Sequence, residues 1–227
     1  MTTVPLIKPR LTLFDLDHTL LTVDSDEAWI EFLIERKVLD AVVFKRANDV
    51  LVDRYRRGEA GAQEFAEFYL STLAPHALAS LAAWHADYLP LKILPALPAA
   101  ARALVEQHRA AGDLLVLTTA TSRFLTAAIA EELGFEHLIA TEPELRDGRY
   151  TGRVAGVANM REGKVTRLEA WLAKRASVLS DYESTFYSDS RNDIPLLSRV
   201  DHPVAVNPDA VLAGVARERG WPVITIR

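Results

Sequence analysis

The 227-residue chain has 49% hydrophobic and 25% charged residues, no cysteine and a formal net charge of −5, the profile of a soluble globular protein with one good core and room for a smaller lobe. Disulfides, thiol catalysis and cysteine-ligated metals are excluded. The acidic balance gives no electrostatic reason to expect nucleic acid or an anionic membrane as a partner. Residues 1–10 hold two prolines and no apolar run long enough for a signal peptide. Leu11-Thr12-Leu13-Phe14, closed by the polar stretch that follows, reads as a buried strand. From Asp24 to about Leu91 the pattern is helical throughout. Asp24-Ser25-Asp26 caps a helix with Trp29, Ile30, Leu33 and Ile34 on one face, and further helices are predicted over 39–57, 63–73 and 75–88. Leu89 to Pro98 carries three prolines and predicts a stiff connection. Alternation follows: helix 99–111 ended by Gly112, strand 114–118, helix 122–133 stopped by Gly134, strand 137–140, and a hairpin turning at Asp147-Gly148. Helix 164–176, strands 184–187, 203–206 and 223–226, and a helix over 209–219 complete the chain. The Ala/Leu-rich region 75–105, broken by His76, His85, Asp87, Lys92 and prolines, cannot span a bilayer, so a cytoplasmic location is the expectation.

Strand–helix alternation implies an α/β fold with a doubly wound, parallel, Rossmann-like sheet. The all-helical stretch 22–92 is expected as a cap inserted after the first strand, with 1–21 and 93–227 forming the catalytic core. An insertion at that point emerges over the carboxyl ends of the strands, where open α/β sheets bind ligands.

Three strand ends carry chemistry. Asp15-Leu16-Asp17-His18-Thr19 places two carboxylates one residue apart, costly unless a cation or a proton separates their charges. One of them can attack phosphorus while the other shuttles a proton, near a site for a hard divalent ion. Thr118-Thr119-Ala120-Thr121-Ser122 ends an apolar strand in hydroxyls; it is either a helix cap or a cradle for phosphate oxygens. Ser188-Asp189-Ser190-Arg191-Asn192-Asp193 ends another strand in carboxylates and is either a turn or an acidic site. Lys164, after Gly163 at a helix start, opposes the helix dipole; it is either a surface lysine or a site cation.

Through Phe14 to Leu20, Leu117-Thr118-Thr119, Gly163-Lys164-Val165 and Ser188 to Asp193, the chain resembles the haloacid dehalogenase superfamily, in particular its phosphoserine-phosphatase-like branch with a helical cap. The resemblance implies that Asp15 is the nucleophile and Asp17 the general acid/base. It gives Thr119, Ala120, Lys164 and Asn192 to the phosphoryl oxygens. Mg²⁺ falls to Asp15, the backbone carbonyl of Asp17 and Asp189, with Asp193 in support. The second aspartate separates phosphatases from dehalogenases and ion-pumping ATPases, which lack an acid there.

The expected activity is Mg²⁺-dependent hydrolysis of a small phosphomonoester through an aspartyl-phosphate. The alternatives are phosphoryl transfer to an acceptor other than water, and an idle phosphate-binding module, which would not need Asp17. Monomer and dimer both fit. Some positions depart from the branch: His18 stands where small residues are common, and Ala120 and Thr121 where two glycines are usual. Asp24 falls where the branch has a glutamate for the substrate amine, but it also suits a helix cap. The arginine that grips a substrate carboxylate has no assigned match, with Arg46, Arg54, Arg56 and Arg57 as candidates. An amino-bearing substrate follows, either phosphoserine or an amino-alcohol phosphate such as histidinol phosphate.

Overall fold

The computed structural model describes residues 8–226. Strand β1 (Arg10–Phe14) is followed by four helices, α1 (Ser25–Glu35), α2 (Ala41–Arg56), α3 (Ala62–Leu70) and α4 (Leu78–Tyr88). Next come α5 (Ala99–Ala110), β2 (Leu114–Ser122), α6 (Arg123–Glu132), β3 (His137–Thr141) and the hairpin β4 (Pro143–Arg146) and β5 (Arg149–Val154). The chain ends with α7 (Glu162–Ala173), β6 (Glu183–Ser188), α8 (Ile194–Leu197), β7 (His202–Val206), α9 (Ala210–Arg219) and β8 (Val223–Ile224). Six strands form one parallel sheet in the order β3-β2-β1-β6-β7-β8. The order reverses about β1, so the crevice at its carboxyl end is the place where such a sheet takes a ligand.

Alternation along β1 divides its side chains between two cores. Leu11 and Leu13 pack with Leu168 and Leu172 of α7 and with Phe186. Phe14 faces the other way and stacks on Tyr187 at 5.0 Å between ring centres. That second core runs on into the helical insertion: Trp29, Phe32, Leu33 and Tyr88 belong to the same apolar cluster as Phe14 and Leu117. The insertion is therefore seated on the sheet through α1 and α4. Its far end reaches the hairpin, where Glu67 of α3 accepts from Val154 N at 3.3 Å. Gly152 permits this approach, because it has φ +81 and a Cβ there would lie 3.1 Å from Ser71 Cα.

The hairpin turns at Asp147-Gly148 as predicted, with φ 47 and 73 at the two turn residues. Two predicted elements differ. Residues 89–96, predicted only as a stiff connection, wind into a π-type turn and a 3₁₀ turn. Pro90 and Pro95 sit in the first positions of these turns, where no backbone N–H is needed. Strand β2 does not stop at Thr118; its register against β3 shifts between Thr118 and Ser122, and α6 starts only at Arg123.

Candidate active site

The backbone of Asp15 extends the sheet by one bond, its N–H donating to Tyr187 O at 2.9 Å. The chain then turns sharply, with Leu20 and Leu21 N–H both bonded to Leu16 O. His18, at the exposed outside of this turn, takes φ 55, a left-handed conformation that histidine tolerates better than most side chains. Asp15 is thereby fixed in the interior. Its Oδ1 accepts from Lys164 Nζ at 2.7 Å and its Oδ2 from Thr19 Oγ1 at 3.0 Å.

Lys164 is 2% exposed and also donates to Asp193 Oδ2 at 2.6 Å. Burial opposes its charge, but the Asp15 and Asp193 carboxylates outweigh that and hold the ammonium well above its ordinary range. Its position depends on Gly163, where a Cβ would lie 2.0 Å from Ala158 O. Only glycine lets the first turn of α7 approach the preceding loop so closely. Ser188 Oγ donates to Asp193 Oδ2 at 2.7 Å, which ties the end of β6 to the same cluster.

Asp189 completes this side. Its N–H donates to Thr19 Oγ1 at 3.0 Å, and the Thr19 hydroxyl lies 3.1 Å from Asp189 Oδ1. One hydroxyl hydrogen is thus shared between carboxylates of Asp15 and Asp189. Burial and the Asp15 charge push Asp189 up to about 8. A surplus of buried oxygen acceptors over donors is the setting of a hard divalent cation. Among the described residues no three acid or histidine side chains converge as a complete metal cage. Mg²⁺ does not demand one, since it commonly takes one or two carboxylates, with water and substrate phosphate filling its remaining positions.

Asp17 lies on the opposite side and is held apart from the lysine. Its Oδ1 accepts from Ser25 N and its Oδ2 from Thr121 Oγ1, both at 2.8 Å. Burial and the nearby Asp24 raise it to about 6, against the pull of those hydrogen bonds. Two carboxylates separated by a single residue thus stand in different environments, one paired with an ammonium and one raised to about 6, as separate nucleophile and acid/base roles require.

The hydroxyl segment at the end of β2 is neither a helix cap nor a plain strand. Thr119 is fully buried and its Oγ1 accepts from Thr121 N at 3.2 Å. Asn159 clamps the segment from outside the sheet, its Nδ2 lying 3.0 Å from Thr118 Oγ1 and 2.9 Å from Thr119 O. Thr141 Oγ1 donates to Ala120 O at 2.6 Å. Asn192 is not in contact with the acids; its Oδ1 accepts from Arg161 Nε at 3.2 Å. Arg161, at φ 54 and ψ −125, also lies over the Tyr55 ring of α2 at 4.7 Å. Asp24 caps α1, accepting from Glu27 N at 2.9 Å, and is half-buried. Burial raises it also.

Thr19, Thr121, Asp26 and Asn159 were not singled out as site residues by sequence reasoning. Thr19 and Thr121 lie inside the motifs, so their hydroxyls were visible there. Asp26 reads as part of a helix cap, and Asn159 is a lone loop residue with no local signal.

The chain belongs to the haloacid dehalogenase-like hydrolase family, whose model matches residues 12–198. It is similar to a histidinol-phosphatase of Neisseria meningitidis serogroup C (strain 8013), with 40% identity over 220 residues, which is 96% of this chain and 99% of that one. A solved structure of a Bordetella pertussis Tohama I protein of unknown function superposes with a TM-score of 0.91 at 51% identity, covering 96% of this chain and 98% of that chain. A substrate-bound phosphoserine phosphatase shares the fold, with a TM-score of 0.66 at 18% identity over 97% of this chain and 94% of that one. The chain is an enzyme of this family, with a helical insertion after its first strand.

Proposed function

We propose that the chain is a Mg²⁺-dependent phosphomonoesterase that works through an aspartyl-phosphate at Asp15. The observation that carries this reading is the split of the two motif carboxylates, with Asp15 between Lys164 and Thr19, and Asp17 between Ser25 and Thr121. An Asp15 oxygen attacks phosphorus and the ester oxygen leaves as its bond to phosphorus breaks, taking a proton from Asp17. Water then attacks phosphorus of the acyl phosphate and gives its proton to Asp17, which frees inorganic phosphate and restores both side chains. Lys164 offsets the charge of the Asp15 carboxylate and of the approaching phosphoryl oxygens, with Thr119 and the Ala120 backbone beside them. Asp15, the Asp17 carbonyl and Asp189 would hold Mg²⁺, supported by Asp193; the ion supplies neutralisation of phosphoryl charge.

For the substrate we infer an amino-bearing alkyl phosphate, histidinol phosphate ahead of phosphoserine. The Asp24 carboxylate lies close to Asp17 on the insertion side of the site, which suits a cationic group there. Arginines that would grip a carboxylate are engaged elsewhere or outside: Arg54 pairs with Glu64, Arg57 with Asp53 and Glu59, and Arg46 and Arg56 are exposed. The near full-length similarity to a histidinol-phosphatase supports the same choice. Phosphate release from histidinol phosphate, phosphoserine and their amine-free analogues, with Mg²⁺ and with chelator, tests both parts. Fastest turnover of histidinol phosphate, abolished by chelator, is expected. Equal rates on the amine-free analogue would refute the amine, and a chelator-resistant rate would refute the metal. In Asp24→Ala, a selective loss on the aminated substrate assigns Asp24 to the amine; a drop in melting temperature alone leaves it a helix cap.

A further inference from the structure

Both oxygens of the Asp17 carboxylate are held by groups outside its own loop. Ser25 N–H takes Oδ1 and Thr121 Oγ1 takes Oδ2. Thr121 is itself 3% exposed and enclosed by polar atoms. Its Oγ1 lies 2.8 Å from Asp17 Oδ2, 3.2 Å from Asp26 Oδ2 and 3.3 Å from Ser25 Oγ. A hydroxyl has one hydrogen to give and two lone pairs to fill. The hydrogen belongs on the shortest contact, Asp17, and the Ser25 hydroxyl fills one lone pair. The remaining lone pair faces Asp26 Oδ2, a repulsive contact for a carboxylate oxygen and a bond for a carboxylic acid O–H. With Asp17 ionised, as it stands when it takes the proton of water, the three contacts are satisfied together only when Asp26 donates.

We propose that Thr121, locked in orientation by a neutral Asp26 and by Ser25, is the positioning residue that fixes the Asp17 carboxylate for proton transfer. The proposal rests on the reading of Asp17 as acid/base. Asp26 is suited to the neutral form, since burial and the neighbouring Asp24 and Asp17 charges push it well above the carboxylate range. The chain of bonds runs from the first turn of α1, through the end of β2, to the loop after β1. It joins three segments that are distant in sequence on one catalytic side chain. It also explains a hydroxyl residue at 121: a glycine there would leave Asp17 Oδ2 without this donor. Asp26 acts through Thr121 and does not touch the reacting atoms.

The test compares Thr121→Val with Thr121→Ser, and Asp26→Leu with Asp26→Asn, in the full chain with Mg²⁺ and para-nitrophenyl phosphate. Thr121→Val and Asp26→Leu are expected to lower kcat about 10- to 100-fold, the scale of a hydrogen bond to a charged group, with KM falling alongside it, because an aryl phosphate transfers its phosphoryl group without an acid and only hydrolysis of the intermediate slows. Serine at 121 and asparagine at 26 each keep a donor in place and recover most of the loss. Asp26→Asn falling as far as Asp26→Leu would overturn the proposal, and so would Thr121→Val retaining full kcat. Melting temperatures of the conservative pair, Thr121→Ser and Asp26→Asn, guard against loss of fold. A readout independent of turnover is the infrared difference spectrum of wild type minus Asp26→Asn at neutral pH. A carboxylic acid carbonyl band supports the neutral Asp26, whereas a carboxylate band alone overturns it. The wild-type rate on the aryl phosphate reports the hydrolase reading separately, and the infrared band does not depend on it.

Discussion

Lys164 is an ammonium 2% exposed and held between two carboxylates. Removing one partner of a buried ion pair strands the other and typically costs ~3–5 kcal/mol. Lys164→Met leaves Asp15 and Asp193 facing each other without a cation, so turnover should be lost and thermal stability should fall. Lowering the pH should recover part of the stability and none of the turnover, because protonation relieves repulsion but disarms the nucleophile. A melting temperature equal to wild type at neutral pH would contradict the pairing. At this scale the sequence was legible where chemistry is local: Asp15 and Asp17 share one strand end, and Asp189 and Asp193 share another. Asp26 and Asn159 were illegible, since their roles come from contacts with residues 95 and 41 positions away, Thr121 and Thr118. Asn192 pairs with Arg161 at the edge of the site, a contact no motif spacing encodes.

Among the elements, the first turn of α7 and the end of β2 set the geometry. A Cβ at residue 163 would meet Ala158 O at 2.0 Å, far inside contact distance. Gly163→Ala should therefore move the α7 start and Lys164 with it, at a cost of about 1–3 kcal/mol typical of overpacking. The kcat should drop further than that destabilisation alone implies. This is checked by comparing kcat and melting temperature with Gly156→Ala, where a Cβ meets nothing within 4 Å and the cost comes only from a positive φ (+85) that Gly163 does not have. Equal kcat in the two variants would contradict the steric role. Most helices and strands were readable because glycine breaks and apolar periodicity mark them. The extension of β2 to Ser122 was not, because Asn159 and Thr141 hold it from across the fold. The wound turns at 89–96 were not readable within the stiff connection, because proline was weighed as a breaker rather than as a first-turn residue.

For the whole molecule, the acidic site couples stability to pH and metal. Asp17 and Asp189 have folded-state values of about 6 and about 8 against an ordinary 3.8. The native state thus keeps protons that the unfolded chain has released, so stability falls as pH rises through this window, from about 4 to about 8. Asp193, raised to about 6, adds to this fall; His76, His85 and His137, pushed down by burial, oppose it in the lower part of the window, and Asp113 and Asp201, shifted downward, act only below it. With chelator, the melting temperature should fall between pH 5 and pH 8. Mg²⁺, which competes with those protons, should raise it most at the upper end. A chelated protein that gains stability over that interval would contradict the sign. The insertion shares a core with the sheet through Trp29 and Phe14. Its helices were readable from sequence, but this seating appears only in the fold.

The most direct test is to look for phosphate on Asp15. Asp17→Asn should still be phosphorylated by an aryl phosphate, whose phenolate leaves without an acid, but should hydrolyse the intermediate slowly for want of a base. Rapid quenching of Asp17→Asn with Mg²⁺ and para-nitrophenyl phosphate, followed by peptide mass spectrometry, should find one phosphoryl group on Asp15 and none in the Asp15→Asn, Asp17→Asn double variant. Wild-type turnover that persists in Asp15→Asn, or a phosphoryl group on any other residue, would contradict the assignment.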